Sequence, residues 1–158
     1  MLMLAYLCQR IRPAAGYTVD ENLWQDEFYG DSETCTRLIP TLDGGFLLGG
    51  STGYPYRKYF LSKTDADGEL EWMRILSPSE RHNYFGGVAQ LPDSNYLIAG
   101  QSHHGVYANI FKVNSQGDSL LSRSYGDDVF NDIVSDSTGK AVAIGFTNDD
   151  AEFGAWDA

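Results

Sequence analysis

The chain is poor in most of the groups that carry chemistry. Two cysteines, three histidines and five prolines are all it has in 158 residues. Cys8 and Cys35 belong to no CxxC or Cys/His spacing, so no disulfide framework or thiolate zinc site is written into the sequence, and they read as small buried or idle thiols. Long apolar runs are missing as well. The stretch from Met1 to Cys8 is nearly free of polarity, but a membrane span takes about 20 such residues, and Arg10 and Arg12 follow at once. It fits the remnant of a secretory leader ending near Ala14-Ala15-Gly16, without the basic segment that should precede one. A misassigned start or a truncated gene explains it equally well. Basic residues are scarce, 11 against 22 acids, for a formal charge of -11. Such a chain repels phosphate backbones and anionic lipids, which excludes nucleic acid and membrane insertion as partner readings.

What is abundant is glycine, at 17 residues, with ten tyrosines and eight phenylalanines. That is the composition of short strands joined by tight turns, and it predicts an all-β chain. Internal repetition sets the organisation. The segment Asp43-Gly44-Gly45-Phe46-Leu47-Leu48-Gly49-Gly50 returns as Asp93-Ser94-Asn95-Tyr96-Leu97-Ile98-Ala99-Gly100. A weaker third copy places Phe130 on Phe85, Ile133 on Val88, Gly139 on Ser94 and Gly145 on Gly100. The second half of the unit repeats too, Lys63 to Gly68 matching Lys112 to Gly117 and Trp72 matching Leu121.

Each unit reads as four strands. In the central copy they are expected at about 86–91, 96–102, 109–114 and 119–125, with short turns of Gly, Asp and Asn between first and second and between third and fourth. The other two connections are longer and differ between copies. An up-and-down sheet of this kind has a plain end carrying the tight turns and an elaborate end carrying the 2-3 and 4-1 connections. Small residues after the second strand (Gly49-Gly50, Ala99-Gly100) suit close approach of neighbouring sheets, with Phe46 and Tyr96 supplying bulk between them.

The Asp-Gly-Gly-Phe-Leu-Leu-Gly-Gly segment and the Lys63 to Trp72 pattern, Lys-Thr-Asp-x-x-Gly-x-x-x-Trp, resemble the tandem repeats of secreted bacterial β-propeller proteins common in Bacteroidetes, and are generally similar to kelch-type blades. The resemblance covers about residues 20–158 and implies a partial, incomplete β-propeller of about three four-stranded antiparallel blades, near 31–76, 77–125 and 126–158, after an N-terminal segment 1–19. It also implies an extracellular or cell-envelope setting. The third copy departs from the pattern, with Ala141 at the aromatic position and no Asp-Gly-Gly turn, and the chain ends as a third strand begins. Open blade edges would favour self-association.

Chemistry-bearing motifs are few. Asp65-Ala66-Asp67-Gly68-Glu69 opens like a calcium loop but has neither the Gly nor the Glu that an EF-hand needs at its sixth and twelfth positions, and a hairpin turn is the better account. Asp127-Asp128 and Asp149-Asp150-Glu152 read as solvated acidic surface on the elaborate end. No phosphate-cradling loop or GxSxG elbow is present, and no motif calls for a cofactor or a metal. The densest polar and aromatic set is Tyr54, Tyr56, Arg81, His82, His103, His104 and Tyr107, all in or beside the 2-3 and 4-1 connections. These residues are the expected ligand-binding rim, for a carbohydrate or protein ligand of a non-catalytic binding or structural module. The alternative is part of a propeller hydrolase or lyase whose site is completed by further blades or a partner chain.

Overall fold

A computed structural model describes residues 34–52, 56–76, 82–102, 107–126, 128–147 and 153–157. Tyr54, Arg81, His103, His104, Trp24 and Cys8 lie outside them, as do Asp127, Asp149, Asp150 and Glu152. The chain is all-β: eleven strands, and no helix among the described residues. They are β1 (Thr34–Pro40), β2 (Phe46–Thr52), β3 (Lys58–Thr64), β4 (Leu70–Leu76), β5 (Asn83–Gln90), β6 (Tyr96–Ser102), β7 (Tyr107–Val113), β8 (Ser119–Gly126), β9 (Asp128–Ser135), β10 (Lys140–Thr147) and β11 (Phe153–Asp157). Strands β1 to β4 form one antiparallel sheet in sequence order and β5 to β8 a second. The third is built on β9 and β10, with β11 paired along β10.

The tight turns form where the repeat expects them, and by one device. In the 3-4 turns, Asp65 Oδ1 accepts from the amides of Asp67 and Glu69 at 2.9 Å, and Asn114 Oδ1 from those of Gln116 and Asp118 at 3.0 and 2.8 Å. In the 1-2 turn of the third sheet, Asp136 Oδ1 does the same for Thr138 and Lys140. These side chains mimic a backbone turn, so the calcium-like segment at Asp65 is a hairpin turn. One position in each 1-2 turn is left-handed: Gly44 and Gly139 at φ 88° and Ser94 at φ 66°.

The second sheet is buried on both faces. Against the first it packs Phe85, Val88, Ile98, Phe111 and Val113 on Leu47, Tyr59 and Leu61. The Tyr59 ring meets Phe85 and Phe111 edge-on, with centroids 5.9 and 6.0 Å apart. Against the third sheet it packs Ala89, Leu91, Leu97, Ala99 and Ala108 on Phe130, Ile133, Ala141 and Ala143. Fully burying one of the large rings is worth about 1.5–3 kcal/mol. The small residues after the second strand sit at close approaches as expected. A Cβ on Gly49 would lie 2.2 Å from the Phe85 ring, and one on Gly100 would lie 2.5 Å from the Tyr59 hydroxyl. Trp72 also serves sheet packing, meeting Tyr96 edge-on and donating Nε1–H to the Ser115 carbonyl at 3.0 Å. Phe46 departs from its counterpart Tyr96: it is 39% exposed where Tyr96 is 1% exposed, because the face of the first sheet that carries it is not the face packed on the second.

The first strands of the three sheets converge. Each carries one extra residue against its neighbour: Thr36 in β1, Gly86 in β5 and Asn131 in β9. From β1, Arg37 reaches β9 and pairs with Asp132, Nη2 to Oδ2 at 3.3 Å and Nε to Oδ1 at 3.4 Å, while also donating to the Asn131 carbonyl at 3.3 Å. A Cβ on Gly87 of β5 would lie 2.3 Å from the same Asp132 carboxylate.

Candidate functional site

At the elaborate end, the start of β5 is locked onto the connection between β2 and β3. Asn83 is fully buried, and both its amide N–H and its side-chain Nδ2 donate to the Arg57 carbonyl, at 3.0 and 2.8 Å. Two further cross-sheet bonds hold this end: Phe85 N–H to Ser51 Oγ at 2.9 Å and Tyr59 O–H to the Gln101 carbonyl at 3.0 Å. Burial pushes the Tyr59 hydroxyl far above its ordinary titration range, so it remains a neutral donor.

The lock arrays four side chains in a row. The His82 ring stacks on Tyr84 with centroids 6.3 Å apart and planes 27° apart, and Tyr56 meets His82 edge-on at 6.0 Å. The Arg57 guanidinium lies over the Tyr84 ring, 5.2 Å from its centroid. Tyr56 is 54% exposed; Arg57, His82 and Tyr84 are half-buried. Of the residues expected at the rim, the structure therefore brings Tyr56 and His82 into contact. Tyr107, 45% exposed, opens β7 in the second sheet, where its backbone faces Ser102 and Gly126. Arg57 and Tyr84 were missed by sequence reasoning. The clue to Tyr84 was its place two residues after His82 on an extended strand, which turns both rings to one side.

Chemically, the row offers aromatic faces beside a guanidinium and an imidazole. Flat rings of this kind bury the C–H face of a ligand while polar edges bind its hydroxyls or carbonyls. Among the described residues, no three His, Cys, Asp or Glu side chains gather to hold a metal ion. No helix among them is long and apolar enough to cross a membrane.

The strongest ion-pair cluster lies elsewhere. Lys63, 1% exposed, places its ammonium 2.8 Å from Asp43 Oδ2, 2.9 Å from Glu71 Oε2 and 2.7 Å from the Thr64 carbonyl. Glu71 reaches it because it is the extra residue of an irregularity between β3 and β4, which re-aims its side chain. Hydrogen bonds from Lys63 and then Thr41 hold the Asp43 carboxyl down at about 2. Burial alone would lower the Lys63 pKa, but the bonds to Asp43 and Glu71 outweigh it and the pKa is raised. All of the ammonium's protons are spoken for, so this is a clamp on the turn end and no reactive amine. In the next repeat the pair survives as Lys112 with Asp93, at 3.8 Å.

The chain matches no protein-family model and no curated protein sequence. Among solved structures it is similar to a crystal structure of a protein of unknown function from Bacteroides caccae, with a TM-score of 0.53 and 18% sequence identity. The match covers 78% of this chain and 43% of that one, so the chain spans less than half of the neighbour's length. At that identity the likeness speaks to the fold alone.

Proposed function

We propose that this chain is a non-catalytic binding module built from propeller-type blades, and that it takes a carbohydrate on the row Tyr56, His82, Tyr84 and Arg57. The observation that carries the reading is the row itself: aromatic rings and a cation, partly exposed, fixed at one end of a rigid β stack by the buried Asn83 lock. Binding residues held on connections by a rigid scaffold are the common arrangement for recognition. The propeller reading is supported by the converging first strands, by the extra residue each carries at the same place in the repeat, and by a middle sheet packed on both faces. An extracellular or envelope setting in a bacterium goes with the repeat resemblance.

The test is a titration of neutral oligosaccharides, arrayed and then in solution, against the wild-type chain and the variants Tyr56→Ala and His82→Ala. Loss of one aromatic platform is expected to weaken binding about twofold to tenfold, since aromatic contacts are worth about 0.5–1.5 kcal/mol each beyond area burial. Thermal midpoints should be unchanged for Tyr56→Ala, whose ring is more than half exposed. Undiminished binding by both variants would refute the placement of the site.

A further inference from the structure

The opposite, tight-turn end of the converging strands carries an open groove of about 590 Å³. It lies beyond the rim site and does not depend on it. Its walls come from all three sheets: Ile39 in β1 and Leu42 just after it, Val88 in β5 and Leu91 just after it, Ile133 and Val134 along β9. Leu42 and Val134 are 69% and 63% exposed, so apolar surface faces solvent here, while Val88, Leu91 and Ile133 form a buried floor. Two hydrogen bonds tie the floor together. Gln90 Oε1 accepts from the Leu42 amide at 2.8 Å, and the Gln90 carbonyl accepts from Ser135 Oγ at 2.5 Å. Asp136 differs from them. It is exposed and is the one charged residue lining the groove among the described residues, and the hydrogen bonds it accepts from Thr138 and Lys140 fall on Oδ1. Bonds from the Thr138 hydroxyl and amide lower the Asp136 pKa, with the Lys140 charge the smallest influence, so the carboxylate is ionised at neutral pH.

We propose that this groove is a second binding site, for a small organic ammonium ion: an alkyl or aryl body against Ile39, Leu42, Val88 and Val134, and the cationic head on Asp136 Oδ2. The volume is that of a small-molecule site, and apolar walls with one placed polar group are the usual means of orienting such a ligand. Charge decides the sign of the head group. A single exposed anion among apolar walls, on a chain of formal charge -11, favours a cation and rejects a carboxylate of the same length.

The experiment uses n-octylammonium and n-octanoate, both below their micellar concentrations, titrated into the isotopically labelled chain and followed by methyl and amide NMR. Octylammonium should shift the resonances of Leu42, Val88 and Val134, and octanoate should bind at least fivefold more weakly. Asp136→Asn should lower octylammonium affinity about threefold to fivefold, the range expected for one exposed ion pair, and bring the two ligands level. Val134→Lys, at an exposed position, should abolish octylammonium binding without moving the thermal midpoint. Equal binding of the two ligands to the wild type, an unchanged ratio in Asp136→Asn, or shifts confined to residues outside the groove would overturn the proposal.

Discussion

Replacing Lys63 by methionine tests whether its ammonium contributes to stability or merely tolerates burial. Methionine keeps a long unbranched chain of similar volume, so packing is conserved and the substitution isolates the charge. Orphaning a buried charge costs about 3–5 kcal/mol. That figure does not transfer here, because Asp43 and Glu71 are 56% and 44% exposed and recover water when the ammonium goes. What is lost is the charge-assisted bond to the Thr64 carbonyl at 2.7 Å and a screened attraction to two carboxylates. A charged hydrogen bond nets about 1.5–3 kcal/mol and an exposed pair at most about 1, so Lys63→Met should cost about 2 kcal/mol. The repeat supplies an internal control. Lys112, 23% exposed and 3.8 Å from Asp93, sits at the matching position, and Lys112→Met should cost about 0–1 kcal/mol. Urea unfolding followed by far-UV circular dichroism and tryptophan fluorescence gives both values, provided the slope is unchanged. Equal losses in the two variants, or a Lys63→Met chain as stable as wild type, would show that burial cost cancels the clamp.

Three further outcomes follow from other positions. Ser94 holds φ 66° where its counterparts are Gly44 and Gly139, so Ser94→Gly should raise stability by about 0.5–1 kcal/mol, read as a higher urea midpoint. Gly49→Ala should cost about 1–3 kcal/mol because its Cβ would lie 2.2 Å from the Phe85 ring, and Phe85→Leu in the same chain should recover part of that loss, as a double-mutant cycle would show. The Asp43 carboxyl is held down from 3.8 to about 2 in the fold. Its contribution is therefore present above about pH 4 and lost as pH falls through 2, and Asp43→Asn should flatten the acid limb of stability measured between those values.

Strand positions were legible in the sequence wherever a β-rich run is closely bounded by Gly, Asp and Asn. The second strand of the central unit was expected at 96–102 and lies at Tyr96–Ser102, and the turns at Asp65 and Asn114 carry the Asx chemistry their sequence announces. The first strand was expected to begin at 86 and begins at Asn83. The extra residue at Gly86 breaks the two-residue period, so the run Asn83-Tyr84-Phe85 looked like connection. The same break concealed Tyr84 from the site. Glu71 was hidden by the second kind of irregularity, since nothing in Leu70-Glu71-Trp72 says that one residue bulges and turns back to Lys63. At the rim, Tyr56 and His82 were found because they sit in the longer 2-3 and 4-1 connections. Arg57 was not, as a lone cation before a strand is common surface.

The extra residues of the first strands explain why the two ends of the stack are so different. An insertion of one residue in a strand shifts every later side chain to the other face and bends the strand. Before the insertion, β5 turns Phe85 toward the first sheet and holds Tyr84, with His82 just ahead of the strand, at the rim; after it, Val88 and then Leu91 run down to the groove. Gly86 has to be glycine, because a Cβ there would lie 2.3 Å from the Phe130 carbonyl of β9. Thr36 and Asn131 keep side chains, and their carbonyls are both taken by Arg37, at 3.1 and 3.3 Å. The backbone groups that a bulge leaves out of its ladder are thus satisfied by the residue that ties β1 to β9. Convergence of the strands and division of the molecule into a polar aromatic end and an apolar anionic end then have one cause, the same insertion repeated three times in the sequence.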